Sequence, residues 1–126
     1  MTSPSVHDAA AAYFAAIRDA DADAFADLFS ADVHFEDPVG GPALSGHDGV
    51  RRFHKGLRRA WQALHMEARD VFARGPRAAV RWHAEGTSGT GKAIAFDGVS
   101  VIEVDPAGKI RRLEGYWDLE GVIAQM

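Results

Sequence analysis

The sequence predicts one α+β domain in which a curved antiparallel or mixed β-sheet wraps three N-terminal helices. Three observations predict it. Helical periodicity dominates the first half of the chain and is broken by a single strand. Two-residue alternation dominates the second half, in four runs joined by short turns; helices followed by strands in this way are the order of an α+β fold. The third observation is bulk: 126 residues, 47% hydrophobic and 25% charged, suffice for one core. The domain is therefore expected to span residues 1–126, and a long curved sheet over helices leaves room for an apolar pocket.

Ser5 with Asp8 reads as a capping box for the first helix. Ala9, Ala10, Tyr13, Phe14 and Ile17 recur at helical spacing, so the helix is expected to run to about Asp19. Asp21 or Asp23 starts a short second helix whose stripe is Phe25, Leu28 and Phe29. Val33 opens a strand that stops at Pro38, and Gly40-Gly41 turns the chain. Ser45-Gly46-His47-Asp48 repeats the capping-box pattern. It opens a third helix with Val50, Phe53, Leu57, Trp61 and Leu64 on one stripe. Arg51, Arg52, Lys55, Arg58 and Arg59 form its solvated face.

Strands follow. Met66 to Arg74 ends at Gly75-Pro76. Ala79 to Gly86 places Val80, Trp82 and Ala84 on one face and Arg81, His83 and Glu85 on the other. Ala93 to Val104 is long, with a kink expected near Gly98. Asp105-Pro106-Ala107-Gly108 turns the chain into Ile110 to Asp118, where Leu113, Gly115 and Trp117 share a face. Leu119 to Met126 is a short tail.

Composition excludes several functions. There is no cysteine, hence no disulfide, thiol nucleophile or Cys-ligated metal. Net charge is -4 without blocks of like charge, which disfavours nucleic acid. Met1-Thr2-Ser3-Pro4-Ser5 has neither a basic start nor an apolar run, so no secretory signal is expected. No stretch is apolar enough to span a membrane, and a cytoplasmic location is expected. The histidines show no metal spacing: His47 and His54 lie seven apart without a third ligand. There is no phosphate loop and no serine-nucleophile motif.

The stretch that draws attention is Val33-His34-Phe35-Glu36-Asp37-Pro38-Val39-Gly40. Val33, Phe35 and Asp37 share one parity, so the apolar face of the strand ends in a carboxylate. Burying it is costly unless it is paired or protonated. A strand-end aspartate that simply meets solvent explains the same pattern.

Taken together, these residues resemble a known family. Tyr13 in Tyr-Phe-Ala-Ala-Ile, then Asp21-Ala22-Asp23, then Glu36-Asp37-Pro38-Val39-Gly40, and finally Pro106-Ala107-Gly108-Lys109-Ile110 leading to Gly115-Tyr116-Trp117 are similar to the nuclear transport factor 2-like fold. Within it the chain is most similar to ketosteroid isomerases and their polyketide-cyclase-like relatives, from about Val6 to Val122. The resemblance implies a cone-shaped hydrophobic pocket, no cofactor and no metal. It implies a homodimer paired through the outer sheet face, where Arg81, His83, Val101, Glu103, Arg112, Glu114 and Tyr116 lie.

For the site, the resemblance implies Asp37 as general base, Tyr13 as oxyanion donor and Trp117 as a pocket aromatic. The second oxyanion donor, a protonated aspartic acid in the family, falls on Ser100 here, a weaker donor. Asp97 would need a bulge near Gly98 to reach inward. His54 stands where a tyrosine often supports the donor, and is expected to hold the Tyr13 hydroxyl. Phe53, Trp61 and Trp82, with Phe14 and Phe29, are expected to shape a pocket for a steroid-like or polyketide-like substrate.

Three functions follow from this. One is proton transfer beside a carbonyl. Another is epoxide opening or ring closure by two carboxylates, the second being Glu67 or Asp97. The last is a non-catalytic small-molecule-binding module.

Overall fold

A computed structural model describes residues 5–126. The expectation of no secretory signal falls largely on residues outside that range. The element order is α1 (Val6–Asp19), α2 (Ala22–Ala26), β1 (Phe29–Glu36), β2 (Leu44–Ser45), α3 (Gly46–Ala60), β3 (Trp61–Arg74), β4 (Arg77–Ser88), β5 (Ala93–Val104), β6 (Ile110–Tyr116) and α4 (Leu119–Gln125). The strands form one curved six-stranded sheet in the order β2-β1-β6-β5-β4-β3. All neighbours are antiparallel except β1 and β6, which run parallel. The α+β class is as expected, and the sheet is the mixed variant of it. No described helix is long and apolar enough to cross a membrane.

The capping box at Ser5 forms with Asp8 as expected. On α1, Ala10, Tyr13, Phe14 and Ile17 are buried against β3, β4 and β5. Arg58 on α3 is more than a solvated charge: it donates to the carbonyls of Ile17 and Ala20 at 3.1 and 2.9 Å, satisfying acceptors at the end of α1.

Four local expectations are corrected. Phe29 belongs to β1, not to the second helix, because Leu28 and Phe29 are drawn into pairing with Ile110 on β6. Trp61 and Leu64 belong to β3, not to the third helix. The Trp61 N–H still bonds Leu57 at the helix end, but its residue pairs with Ser88 on β4. Ser45 makes no side-chain cap: it is held extended in β2 opposite His34, and Gly46 turns the chain with φ 70°. The tail is a helix, α4, capped by Asp118 on the Gly121 N–H.

Two aromatic groups occupy the space between helices and sheet. Tyr13, Phe25, Phe29 and Phe35 pack with Phe53 under α2 and α3, Phe35 and Phe53 lying 4.6 Å apart. Phe96 joins Trp61, Trp82 and Trp117 at 5.8, 5.5 and 5.3 Å on the far side.

Candidate active site

The parallel pairing of β1 with β6 assembles the site. Its register sets Glu36 opposite Glu114, so the two strands end side by side. The next residues are Asp37 and Gly115, and Trp117 follows two positions on. Residues 80 apart in sequence thus meet at one point. The Val39 N–H donates to the Gly115 carbonyl at 2.8 Å and holds the turn after Asp37 in place.

Asp37 accepts two hydrogen bonds. Trp117 Nε1 donates to Oδ1 at 2.5 Å, and the Tyr13 hydroxyl donates to Oδ2 at 3.3 Å. Burial pushes the carboxyl from its ordinary 3.8 up to about 6, although both donors pull it down. Asp37 retains some solvent contact through the cavity opening while apolar groups dominate its surroundings. Burial likewise pushes the Tyr13 phenol well above its ordinary range, and the Asp37 charge adds to that. Tyr13 is therefore a neutral donor, fully buried behind Asp37.

The carboxylate faces a cavity of about 300 Å³. Phe53, Trp61, Trp82, Phe96 and Trp117 line it together with aliphatic side chains from α1, α3, β3 and α4, including Ile17, Leu57, Met66 and Leu119. Asp37 is the only ionisable side chain among the lining residues.

Three wall groups sit on glycines. A Cβ on Gly115 would collide with the Asp37 carboxylate, lying 2.7 Å from its Cγ. A Cβ on Gly98 would lie 2.6 Å from Trp82 Cη2, and one on Gly86 2.9 Å from Trp61 Cε3. A lone glycine inside a strand marks such close approach. The glycine at 98 makes room for an indole and introduces no bulge: β4 and β5 pair without a register shift from Arg77–Glu103 to Thr87–Ala93.

That unbroken register decides several sequence-based assignments. Ser100 does point inward, but it is 1% exposed, is absent from the cavity wall, and accepts the Trp82 Nε1–H at 3.0 Å. It holds the tryptophan and does not line the cavity. Asp97 lies on the outer face, 2.9 Å from His83, which also meets Glu85 at 3.1 Å. Glu67 is exposed next to Arg69. Neither Asp97 nor Glu67 reaches the cavity, so a two-carboxylate site is ruled out for these residues.

His54 bonds the Ala20 carbonyl at 2.9 Å and not the Tyr13 hydroxyl. It does not line the cavity; Phe14 and Phe29 do not either, because both pack on Tyr13 in the core. Phe96 and Gly115 were missed as site residues. Phe96 shares parity with Ser100 on β5, which would have found it. The role of Gly115 depends on β1 lying beside β6, which has no local signal.

Ser100→Ala is expected to strand a fully buried indole N–H and to cost about 1–3 kcal/mol of stability. Activity at the cavity should change little. Denaturant unfolding read beside turnover checks this, and a large activity loss without destabilisation would restore Ser100 to the chemistry.

A family model described as the SnoaL-like domain matches residues 10–113. No match was found among curated proteins. Solved structures share the fold. SalBIII, an epoxide hydrolase/cyclase-like enzyme with a role in pyran ring formation in the polyether salinomycin, is 25% identical over 90% of this chain and 91% of its own, with a TM-score of 0.80. An NTF2-like protein from an Exiguobacterium species is 23% identical over 88% and 98%, at 0.75. A protein with a ketosteroid isomerase-like fold from Catenulispora acidiphila, solved with trimethylamine, is 18% identical over 98% and 93%, at 0.83. The expected resemblance to the nuclear transport factor 2-like fold is thereby borne out.

Proposed function

Because the chain belongs to the SnoaL-like domain family, we propose that it is an acid–base enzyme in which Asp37 shuttles one proton during ring closure or epoxide opening of an apolar substrate. The observation that carries this reading is a lone carboxyl at the end of an apolar cavity, its neighbouring donors already spent on it. The likeness to SalBIII supports the reaction class.

The steps balance with one carboxyl. Protonated Asp37 gives its proton to the epoxide oxygen as the carbon–oxygen bond breaks. A hydroxyl of the same substrate attacks that carbon, forms the ring ether, and returns its proton to Asp37. A value of about 6 keeps a useful fraction of the acid form near neutral pH. The apolar wall keeps water from competing with the internal hydroxyl. Steroid-type isomerisation is less well supported. It needs preorganised donors for an enolate oxygen; the Tyr13 hydroxyl is given to Asp37, and Ser100 does not line the cavity.

The test follows ring closure of an apolar hydroxy-epoxide by chromatography, beside conversion of an unsaturated ketosteroid by its enone absorbance. Asp37→Asn should lose about 10²–10⁴-fold in the first reaction. Equal rates of hydroxy-epoxide closure with the wild type and Asp37→Asn would overturn the reading. The acid role also fixes a sign: rate should fall as pH rises through about 6. Tyr13→Phe removes a bond that favours the ionised form, so that fall should move to higher pH. A general-base role would give a rate that rises through the same range.

A further inference from the structure

We propose that the Asp37 cavity selects ligands carrying a positive centre, an alkylated ammonium group on an apolar body, over uncharged ligands of the same shape. This deepens the functional reading, since it rests on the same cavity being the site.

Charge favours such a ligand. Asp37 is a largely enclosed carboxylate, and among the described residues no lysine, arginine or histidine forms an ion pair or hydrogen bond with it. Its two partners are neutral: Tyr13 from α1 and Trp117 beyond β6. Among the described residues, Tyr13 is the one titratable group that hydrogen-bonds it. The other described acids with close ionic partners pair with Arg or His at the surface, as Asp70 does with Arg81 at 2.6 Å. A buried charge without a counter-ion is costly, and a cation in the cavity would offset that cost.

The wall favours it as well. Trp61, Trp82, Phe96, Trp117 and Phe53 all border the cavity, and aromatic walls favour alkylated ammonium groups, which shed water easily. Donors for anything negative are in short supply. Of the three indoles on the wall, the N–H of Trp117 is spent on Asp37 and that of Trp82 on Ser100, which leaves Trp61 as the one indole without a hydrogen bond among the described residues. Among the described residues no cationic side chain lines the cavity. A ligand oxyanion would meet a carboxylate and aromatic rings, whereas an ammonium group meets its complement. Once Asp37 has given up its proton, the carboxylate left behind would favour a carbon that gains positive charge as an epoxide opens.

The test uses a pair of carbon isosteres, (meta-hydroxyphenyl)trimethylammonium and meta-tert-butylphenol, titrated against the intact protein by tryptophan fluorescence. Wild type should bind the ammonium probe about ten-fold more tightly at neutral pH. In Asp37→Asn the two affinities should converge. The preference should also shrink below about pH 6, as Asp37 takes up its proton. Trp61→Leu leaves the carboxyl and its partners untouched, and should weaken the ammonium probe more than the phenol. Equal or tighter binding of the phenol by wild type would overturn the proposal, as would a preference that survives undiminished in Asp37→Asn. No turnover is needed for any of these readings. Ammonium preference without ring closure would sink the catalytic reading alone, and ring closure without the preference would sink this one alone.

Discussion

Gly115→Ala is expected to inactivate the protein almost as thoroughly as removing Asp37 itself. The new methyl would lie 2.7 Å from the Asp37 Cγ, and pushing the carboxylate out into the cavity would break its bonds to Trp117 and Tyr13. A shift of about 1 Å in a catalytic group can cost about 10²-fold in rate. Overpacking of this kind also destabilises by about 1–3 kcal/mol. The two effects have one cause, so they should be separable. In an Asp37→Ala background the methyl meets no carboxylate, and adding Gly115→Ala should cost little further stability. Unfolding curves for the two single variants and the double variant measure this coupling. A stability penalty that persists unchanged in the Asp37→Ala background would mean that the glycine serves its own strand and not the aspartate.

The unfolding free energies of wild type and Asp37→Asn should diverge as pH rises from about 4 to above 6. Folding raises the Asp37 carboxyl from 3.8 to about 6. Between those values the folded protein binds a proton that the unfolded chain releases. The folded state is therefore favoured at the acid end, and that advantage is lost as pH rises through about 6. At about 1.4 kcal/mol per pH unit, the gap between 3.8 and about 6 corresponds to about 3 kcal/mol. Asparagine does not titrate, so the change in the difference between the two proteins isolates Asp37 from every other carboxylate. Urea denaturation at several pH values reads it directly. A difference that stays flat across this range would show that the carboxyl is not held away from solvent. An ammonium ligand should reduce the effect, because it stabilises the ionised form in the folded state.

Much of the site was legible before any coordinates. Asp37 stood out because an apolar strand face ended in a carboxylate in front of a proline. Strand parity set Trp82 and Trp117 on the apolar faces of their strands, and the family resemblance pointed to Ser100; all three lie on the inner face. What parity could not tell is what each polar atom touches. Ser100 and His54 both lie on the buried side, yet Ser100 accepts from an indole and His54 bonds a helix-end carbonyl. Hydrogen-bond partners depend on ångström-scale placement of neighbouring elements, and no sequence period carries that information. The misplacement of Phe29 and Trp61 has a related cause. Both continue a helical stripe, and both are taken over by strand pairing with distant residues, Ile110 and Ser88.

The sequence by itself determined the first three helices and the main strands, the inner and outer faces of those strands, and the candidacy of Asp37. Those depend on local period and on the cost of burying charge, which any short stretch reveals. Only the tertiary structure decided that β1 runs parallel beside β6, and hence that Asp37 rests on Gly115 between Trp117 and Tyr13. It also decided that Asp97 and Glu67 lie outside the cavity. The physical reason is that a parallel register between strands so far apart in sequence is set by the packing of the whole core and not by the residues at the site.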